Sequence, residues 1–195
     1  MKRVHRASAL LAGLLLSAAV FAVDVEGVSL PLRVRIDANA PELVLNGAGV
    51  RVRLIFKVYV AALYLPVKMD DGEAILRENR PTRLFMQMLR DLTGEQITSS
   101  FNDALRETLT PEERLPLELR LRQFNAIFEA LPELREGTQI AIDYLPRRGT
   151  VISVNGEKKE RIPGADFNRA VLRMWLGDRP RDPELKKALL GIRAN

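Results

Sequence analysis

The chain has 195 residues, a formal net charge of +5, no cysteine, and a single histidine, His5. Because His5 lies in a leader segment described below, the remaining chain cannot form disulfides, thiol redox centres, Ser-His or Cys-His nucleophiles, or the usual structural zinc sites. Acid and base chemistry is left to Asp, Glu, Lys and Tyr, with Arg as an electrostatic stabiliser. Charges of both signs are spread along the chain, so we predict no nucleic-acid partner.

The first 22 residues have the pattern of a secretory signal peptide. Basic residues are followed by an apolar run, and Val20 and Ala22 place small residues where signal peptidase reads the chain. We expect cleavage after Ala22, which leaves residues 23–195 as a single domain and lowers the formal charge from +5 to +2. An uncleaved anchor is the alternative, but the run is short for a crossing of about 20 residues. A lipoprotein is excluded because no cysteine is available for acylation. We therefore predict a periplasmic protein without a membrane span after cleavage.

The next part of the chain is predicted to be mainly β-sheet, because alternating apolar segments are separated by turn-prone residues. Gly47 and Gly49 lack the third glycine and the helix start of a dinucleotide-binding loop, so we interpret them as a turn. The predicted elements are strands over residues 28–36, 42–46, 46–66 and 82–90, and a short helix over residues 73–78.

The long strand over residues 46–66 has two different faces, since alternate side chains of a strand point to opposite sides. Its even-numbered residues are apolar and predict a core face, to which Tyr64 belongs. The odd-numbered face carries Arg51, Arg53, Lys57 and Tyr59. This face either meets water or lines a cleft that receives an anionic ligand. We expect Arg53 and Lys57 to be solvated.

The second half of the chain contains helices with clear N-terminal signals. Thr93 with Gln96, and Thr110 with Glu113, fit the capping box, and Pro111 adds a proline at N1. The second helix has an apolar stripe that we interpret as core packing, formed by Leu117, Leu121, Phe124, Phe128 and Leu131. Further strands are predicted over residues 137–145, 150–154 and 157–162, with Asn155-Gly156 as a hairpin turn, and further helices over residues 164–176 and 183–190. Together these elements predict an α+β domain.

Several short motifs follow one another along the chain. They are Gly47-Ala48-Gly49-Val50-Arg51, Lys57-Val58-Tyr59-Val60-Ala61-Ala62-Leu63-Tyr64-Leu65, Leu92-Thr93-Gly94, Ile162-Pro163-Gly164-Ala165-Asp166-Phe167, Leu172-Arg173-Met174-Trp175-Leu176-Gly177 and Leu185-Lys186-Lys187-Ala188-Leu189-Leu190-Gly191. In this order they resemble the chalcone isomerase family, and within it the exported bacterial chalcone isomerase-like branch. The resemblance implies an open-faced β-sandwich, in which helices cover the concave face of a curved antiparallel sheet and leave a cleft.

The same resemblance implies a site. In plant isomerases the arginine of the Gly-Ala-Gly-x-Arg motif stabilises a ligand oxygen, helped by a Thr, a Tyr and an Asn. Arg51 matches the arginine, whereas the other three positions fall on Tyr59, Ile97 and Ala104. Missing hydrogen-bond donors at such a site commonly cost on the order of 100-fold to 1000-fold each in rate, which argues against isomerase activity. The pair of Arg51 and Tyr59 instead resembles the fatty-acid-binding relatives, where such a pair holds the ligand carboxylate.

We therefore predict a non-catalytic binding protein for a fatty acid or similar hydrophobic carboxylate, with Arg51 and Tyr59 as ligand-binding residues and no cofactor or metal. Two alternatives are an isomerase or lyase acting on a small hydrophobic or phenolic compound through the same pair, and a structural or partner protein with a vestigial cleft. For Arg51 alone, the alternative is an ion pair with a structural carboxylate. Trp175 is interpreted as helix packing rather than as a ligand contact.

Overall fold

Helices cover one face of an antiparallel sheet in this α+β chain, and the computed structural model describes residues 21–192. The strands are β1 (Ala22–Val25), β2 (Val28–Pro31), β3 (Arg33–Arg35), β4 (Glu42–Arg53), β5 (Phe56–Leu65), β6 (Thr82–Met88), β7 (Gln139–Leu145), β8 (Gly149–Val154) and β9 (Glu157–Ile162). The helices are α1 (Gly72–Arg77), α2 (Gly94–Thr108), α3 (Pro111–Arg114), α4 (Glu118–Glu129), α5 (Ala165–Leu176) and α6 (Pro183–Leu189).

Strands β3 to β9 form one seven-stranded sheet in which each strand pairs antiparallel with its neighbour in sequence. Strands β1 and β2 form a separate hairpin. Helices α2, α3 and α4 lie in one insertion between β6 and β7. Its base is closed by two backbone hydrogen bonds between Leu92 and Leu134, of 2.9 and 2.7 Å. The curved sheet with helices over it confirms the predicted fold class.

The two faces of the sheet are buried in two separate cores. On β5, Ala61, Leu63 and Leu65 face the larger core under the helices. Val60, Ala62 and Tyr64 face a smaller core that the β1–β2 hairpin covers. The predicted core position of Tyr64 is thus confirmed, at 2% exposure. The odd-numbered face, which the sequence marks as basic, continues beyond Tyr59 into the main hydrophobic core.

The prediction of one long strand over residues 46–66 is wrong, because the segment is two strands joined by a turn. Arg53 pairs with Phe56, so only Leu54 and Ile55 connect β4 to β5. Neither is a usual turn residue, and the sequence therefore contains no local signal for the reversal. A β-bulge follows the Arg51–Tyr59 pair and turns Lys57 to the opposite face from Arg51. Lys57 there forms a surface ion pair with Glu26, at 2.6 Å.

Several local predictions are confirmed. Thr93 and Gln96 form the first capping box, and Thr110 and Glu113 form the second. The apolar stripe of the second helix is core, with Phe124 and Phe128 fully buried among the residues that α2 and α5 also pack against. Two differences lie near the N-terminus. The predicted strand over 28–36 is divided into β2 and β3, and β1 was not predicted.

The predicted signal peptide lies almost wholly outside the described residues. Ala22, after which we expect cleavage, is the first residue of β1 and pairs with Pro31. Cleavage there would shorten β1 by this one pair, so the predicted mature domain keeps the remaining three pairs of the hairpin. Within residues 21–192, none of the helices has the length and apolar character needed to cross a membrane.

Gly47 and Gly49 are not turn residues, which corrects the interpretation made from the sequence. Both lie within β4, where helix α6 crosses the strand. A Cβ atom on Gly47 would lie 2.1 Å from the backbone oxygen of Ala188, and one on Gly49 would lie 2.6 Å from the Ala188 Cβ. These glycines therefore permit the close approach of α6 to the sheet.

We predict that Gly49→Ala destabilises the fold and that Ala188→Gly rescues it. Overpacking of this kind costs about 1–3 kcal/mol. Removing the Ala188 methyl group opens the space at a cost of about 1 kcal/mol in helix propensity. The free energy of unfolding of the double variant, measured by urea titration, should exceed the value that the two single variants predict additively.

Gly47→Ala is the matched control. Its added Cβ would meet the backbone oxygen of Ala188, which Ala188→Gly leaves in place. We therefore expect no rescue at this position. Equal rescue of both variants, or rescue of neither, would contradict the crossing of α6 over these two glycines.

Candidate functional site

A cavity of about 830 Å³ lies between the helix-covered face of the sheet and helices α2, α5 and α6. This volume is within the range of roughly 300–1,000 Å³ that is usual for small-molecule pockets. Much of its wall is apolar and comes from strands β5, β6 and β7 and from helices α2, α5 and α6. The apolar lining includes Met86, Met88, Ile97, Phe101, Ile140 and Met174. The interior is therefore suited to a hydrophobic ligand.

Arg51 lines the cavity and is also held by an ion pair. Its Nη1 donates to Asp182 Oδ2 at 2.9 Å and to the backbone oxygen of Val52 at 3.0 Å. The side chains of Arg51 and Asp182 are 20% and 15% exposed. Asp182 Oδ1 in turn accepts from the backbone N–H of Leu185 and caps the start of α6. The sequence offered two positions for Arg51, in a cleft or in an ion pair with a structural carboxylate. The structure shows both, since Arg51 lines the cavity and pairs with Asp182.

Tyr59 lies beside Arg51, because the two residues are directly paired between β4 and β5. Its hydroxyl oxygen accepts a hydrogen bond from Trp175 Nε1 at 3.0 Å. Burial raises the pKa of Tyr59 to about 12, with the Trp175 hydrogen bond and the Arg51 charge acting in the opposite direction. At neutral pH the hydroxyl is therefore an uncharged donor rather than a base.

Trp175 does more than pack a helix face. Its ring contacts Phe101 at 6.0 Å between centroids, its Nε1 fixes Tyr59, and its side chain lines the cavity. The interpretation of Trp175 as helix packing is confirmed, since it is 6% exposed and belongs to the main core. Trp175 is also the only tryptophan of the chain, so its fluorescence reports directly on the cavity.

The structure brings most of the residues implicated by sequence to the same cavity. Arg51 and Tyr59 are adjacent, and Ile97 and Ala104 of α2 line the helical wall. Arg53 is exposed, as predicted, but it also lies at the cavity. The ligand-binding roles of Arg51 and Tyr59 stay predictions.

Sequence reasoning missed several polar residues of the cavity. Asp182 had only a local signal, an Asp before a proline at a helix start, and its pairing with Arg51 spans 131 positions of the chain. Arg181 ion-pairs with Glu107 at 2.9 Å. Arg90 lies over the Phe56 ring, with 5.0 Å between the guanidinium carbon and the ring centroid. No pattern within one segment predicts contacts between segments so far apart.

The charges around the cavity are mixed, with a surplus of arginine. The charged lining residues are Arg51, Arg53, Arg90, Arg181, Glu95, Asp103 and Asp182. Four guanidinium groups thus face three carboxylates. Within residues 21–192 there is no cluster of three or more His, Cys, Asp or Glu side chains that could hold a metal ion. The arrangement favours an anionic group over a cation.

A family model described as chalcone isomerase-like matches residues 22–191. The chain belongs to the chalcone isomerase-like family. Among solved structures, this chalcone isomerase-like chain is similar to a fatty-acid-binding protein of Arabidopsis thaliana, with a TM-score of 0.68 and 14% sequence identity over 87% of this chain and 96% of that chain. At this identity the likeness shows the shared fold. No curated protein matches the chain significantly in sequence.

We predict that the stability of the protein falls between pH about 10 and about 12, and that Tyr59→Phe makes this fall shallower. The folded state keeps Tyr59 protonated to about pH 12, above its usual pKa of 10. The unfolded state ionises near pH 10 and so binds fewer protons in this window. The stabilisation is complete below pH 10 and is lost as the pH rises through 12. Urea titrations across this range measure it.

Some of the fall remains in the variant, because burial also raises the pKa of Tyr64, to about 12, and that of Tyr144. Tyr144→Phe removes one of these other hydroxyls, so it should also make the fall shallower. An identical slope for wild type and Tyr59→Phe would show that the Tyr59 hydroxyl is not protected by burial.

Proposed function

We propose that this chalcone isomerase-like protein binds a fatty acid or a similar hydrophobic carboxylate in its cavity, without converting it. The observation that carries the proposal is an apolar cavity of about 830 Å³ in which Arg51 and Tyr59 lie side by side. The fold it shares with a protein named as fatty-acid-binding supports the same ligand class. The family assignment is consistent with this function.

The apolar wall provides most of the affinity. Each methylene of an acyl chain that leaves water contributes about 0.8 kcal/mol. A long chain therefore contributes on the order of 10 kcal/mol before the costs of association and ordering are subtracted. The methionines at 86, 88 and 174 suit such a ligand, because their flexible side chains adapt to chains of different shape. We expect micromolar binding.

Arg51 and Tyr59 provide the polar end of the site. In the described chain, the hydrogen bonds of Arg51 use only its Nη1. Its Nε and Nη2 groups are therefore left to donate to a carboxylate, and a charge-assisted bond of this kind is worth roughly 1.5–3 kcal/mol. Tyr59 accepts from Trp175 through its oxygen, so that its own O–H can donate to the ligand. The negative charge of Asp182 repels an incoming carboxylate. The carboxylate is therefore expected to approach Arg51 from the side away from Asp182.

The composition of the cavity supports binding rather than isomerisation. Ile97 and Ala104, at the positions where the resemblance to plant isomerases expects polar side chains, form part of the wall and offer no side-chain donor. Tyr59, with its pKa raised to about 12, is a poor base at neutral pH. A cavity of this volume also argues against a vestigial, filled cleft.

We predict that Arg51→Met weakens the binding of a fatty acid by roughly 10- to 100-fold, the equivalent of one charge-assisted hydrogen bond. The binding of the fatty alcohol of the same chain length should be nearly unchanged, because it carries no charge for the guanidinium to pair. Titrations monitored by Trp175 fluorescence measure both affinities. Equal loss for acid and alcohol would indicate a damaged cavity rather than a lost head-group contact.

Two further variants sharpen this test. Arg83 pairs with Asp143 and has the same 20% exposure as Arg51, but it lies outside the cavity. Arg83→Met should therefore cost stability without changing the affinity for the acid. Asp182→Asn keeps an N-cap residue and removes a charge that repels the ligand, so it should tighten acid binding by on the order of fivefold. Unchanged acid affinity in both Arg51→Met and Asp182→Asn would refute the proposed head-group site.

The predicted leader supports a periplasmic location for this binding protein. We predict that the protein recovered from the periplasmic fraction of its host begins at Val23, as measured by intact mass. Ala22→Arg should block this processing, because signal peptidase requires a small residue before the cut. Full-length protein confined to the cytoplasmic fraction would contradict export.

A further inference from the structure

The turn between β4 and β5 carries large apolar side chains into solvent. We call residues 52–57 the hairpin tip. Leu54 is 89% exposed, Ile55 is 85% exposed and Phe56 is 53% exposed. Single exposed apolar residues are common on protein surfaces, but three consecutive ones at the end of a projecting hairpin are not explained by the fold.

The backbone of this turn shows that leucine is not the residue the fold prefers at position 54. Leu54 has a φ of 57°, in the left-handed region that a leucine adopts only with strain. The hairpin turn between β8 and β9 instead uses Asn155 and Gly156, which suit their φ angles of 50° and 79°. The hairpin tip thus keeps Leu54 at a position where glycine would stabilise the turn. Strain at an exposed position indicates a function for the side chain.

Basic residues surround the apolar end of the hairpin. Arg53 and Arg90 have no carboxylate within 4.0 Å in the part of the chain that the structure describes. The Arg90 guanidinium lies over the Phe56 ring. Lys57, on the other face, is paired with Glu26 at the surface. Apolar side chains bordered by unpaired guanidinium groups are typical of segments that enter the interface of an anionic bilayer.

The hairpin tip is continuous with the cavity. Arg53, Leu54, Phe56 and Arg90 belong to the hairpin tip or its border, and the same residues line the cavity. An acyl chain that leaves a bilayer at this point would therefore meet Leu54 and Phe56 before it enters the interior. The mouth of the cavity and the hairpin tip therefore form one continuous surface.

We propose that the hairpin tip docks on the surface of an anionic phospholipid bilayer, with Leu54 and Ile55 among the acyl chains and with Arg53 and Arg90 at the headgroup phosphates. The docked protein takes up or releases its ligand directly through the cavity mouth. The ligand exchange rests on the proposed function, whereas the docking itself does not. A bilayer suits the hairpin tip better than a protein partner, because a stable protein interface buries about 800 Å² on each side and needs a broader surface than one turn.

The experiment measures co-flotation of the purified mature protein with vesicles of phosphatidylglycerol and phosphatidylcholine, and with vesicles of phosphatidylcholine alone. We expect binding to the anionic vesicles and a loss of about fivefold for each of Arg53→Gln and Arg90→Gln. Ile55→Ser should weaken binding on the order of tenfold. No preference for the anionic vesicles would overturn the proposal.

The double variant Leu54→Gly/Ile55→Ser excludes misfolding as an explanation. It relieves the strained φ at Leu54, so its melting temperature should be equal to or higher than that of the wild type, while vesicle binding is lost. The matched control is Leu115→Ser/Leu119→Ser, which removes side chains of 73% and 63% exposure just before α4 and in its first turn. This helix packs against β9. This control should bind vesicles as the wild type does. Loss of binding in the control, or retained binding in the hairpin variant, would place the membrane contact elsewhere.

Two readouts separate this proposal from the proposed function and from self-association. Ile55 is not part of the cavity wall, so Ile55→Ser should keep the wild-type affinity for a fatty acid in solution. Vesicle binding without any fatty-acid affinity would refute the proposed function and leave the docking intact.

Sedimentation without lipid should give the same mass for wild type and Ile55→Ser. If the wild type is a dimer that dissociates in Ile55→Ser, the partner of the hairpin tip is a second copy of the chain. The proposed docking on a bilayer would then be refuted.

Discussion

The contact of α6 with β4 determines the geometry of the whole site. Gly47 and Gly49 allow the helix backbone to approach the strand, and the start of that helix then lies where Asp182 pairs with Arg51. Asp182 also caps the helix, so that one carboxylate fixes both the helix and the guanidinium. Arg51 pairs with Asp182 at the cavity because the glycines two and four positions before it leave room for α6. The motif Gly47-Ala48-Gly49-Val50-Arg51, whose arginine resembles a ligand-binding residue of the family, therefore also provides the packing of α6 on β4.

The second fixed point of the site is the contact between β5 and α5. Trp175 donates to Tyr59, and its ring packs against Phe101 of α2. The Tyr59 hydroxyl is thus held by α5, and α5 is held at this point by α2. A polar pair held in this way is preorganised, which lowers the ordering cost of ligand binding. The methionines elsewhere in the wall have the complementary property, because their flexible side chains adapt their shape. Under the proposed function, they would fit ligand tails of different shape.

Local sequence signals predicted the elements whose causes are local. The capping boxes at Thr93 and Thr110 and the Asn155-Gly156 turn depend on residues within a few positions of each other, and all were found. The Leu54-Ile55 turn was missed because tertiary pairing imposes it against the preference of both residues. The glycines of β4 were misread for a related reason, since the helix that needs them lies about 140 positions away. Arg51 and Tyr59 came from the family resemblance, whereas Asp182 and Trp175 as their partners required the fold.

The insertion between β6 and β7 leaves and re-enters the sheet through the single bridge of Leu92 and Leu134. The pairing of β6 with β7 is antiparallel and continuous without any contribution from the inserted helices. Arg51 and Tyr59 are paired between β4 and β5, two strands that precede the insertion in the chain. A change in α2 would therefore alter the helical wall of the cavity without altering the two strands that carry Arg51 and Tyr59.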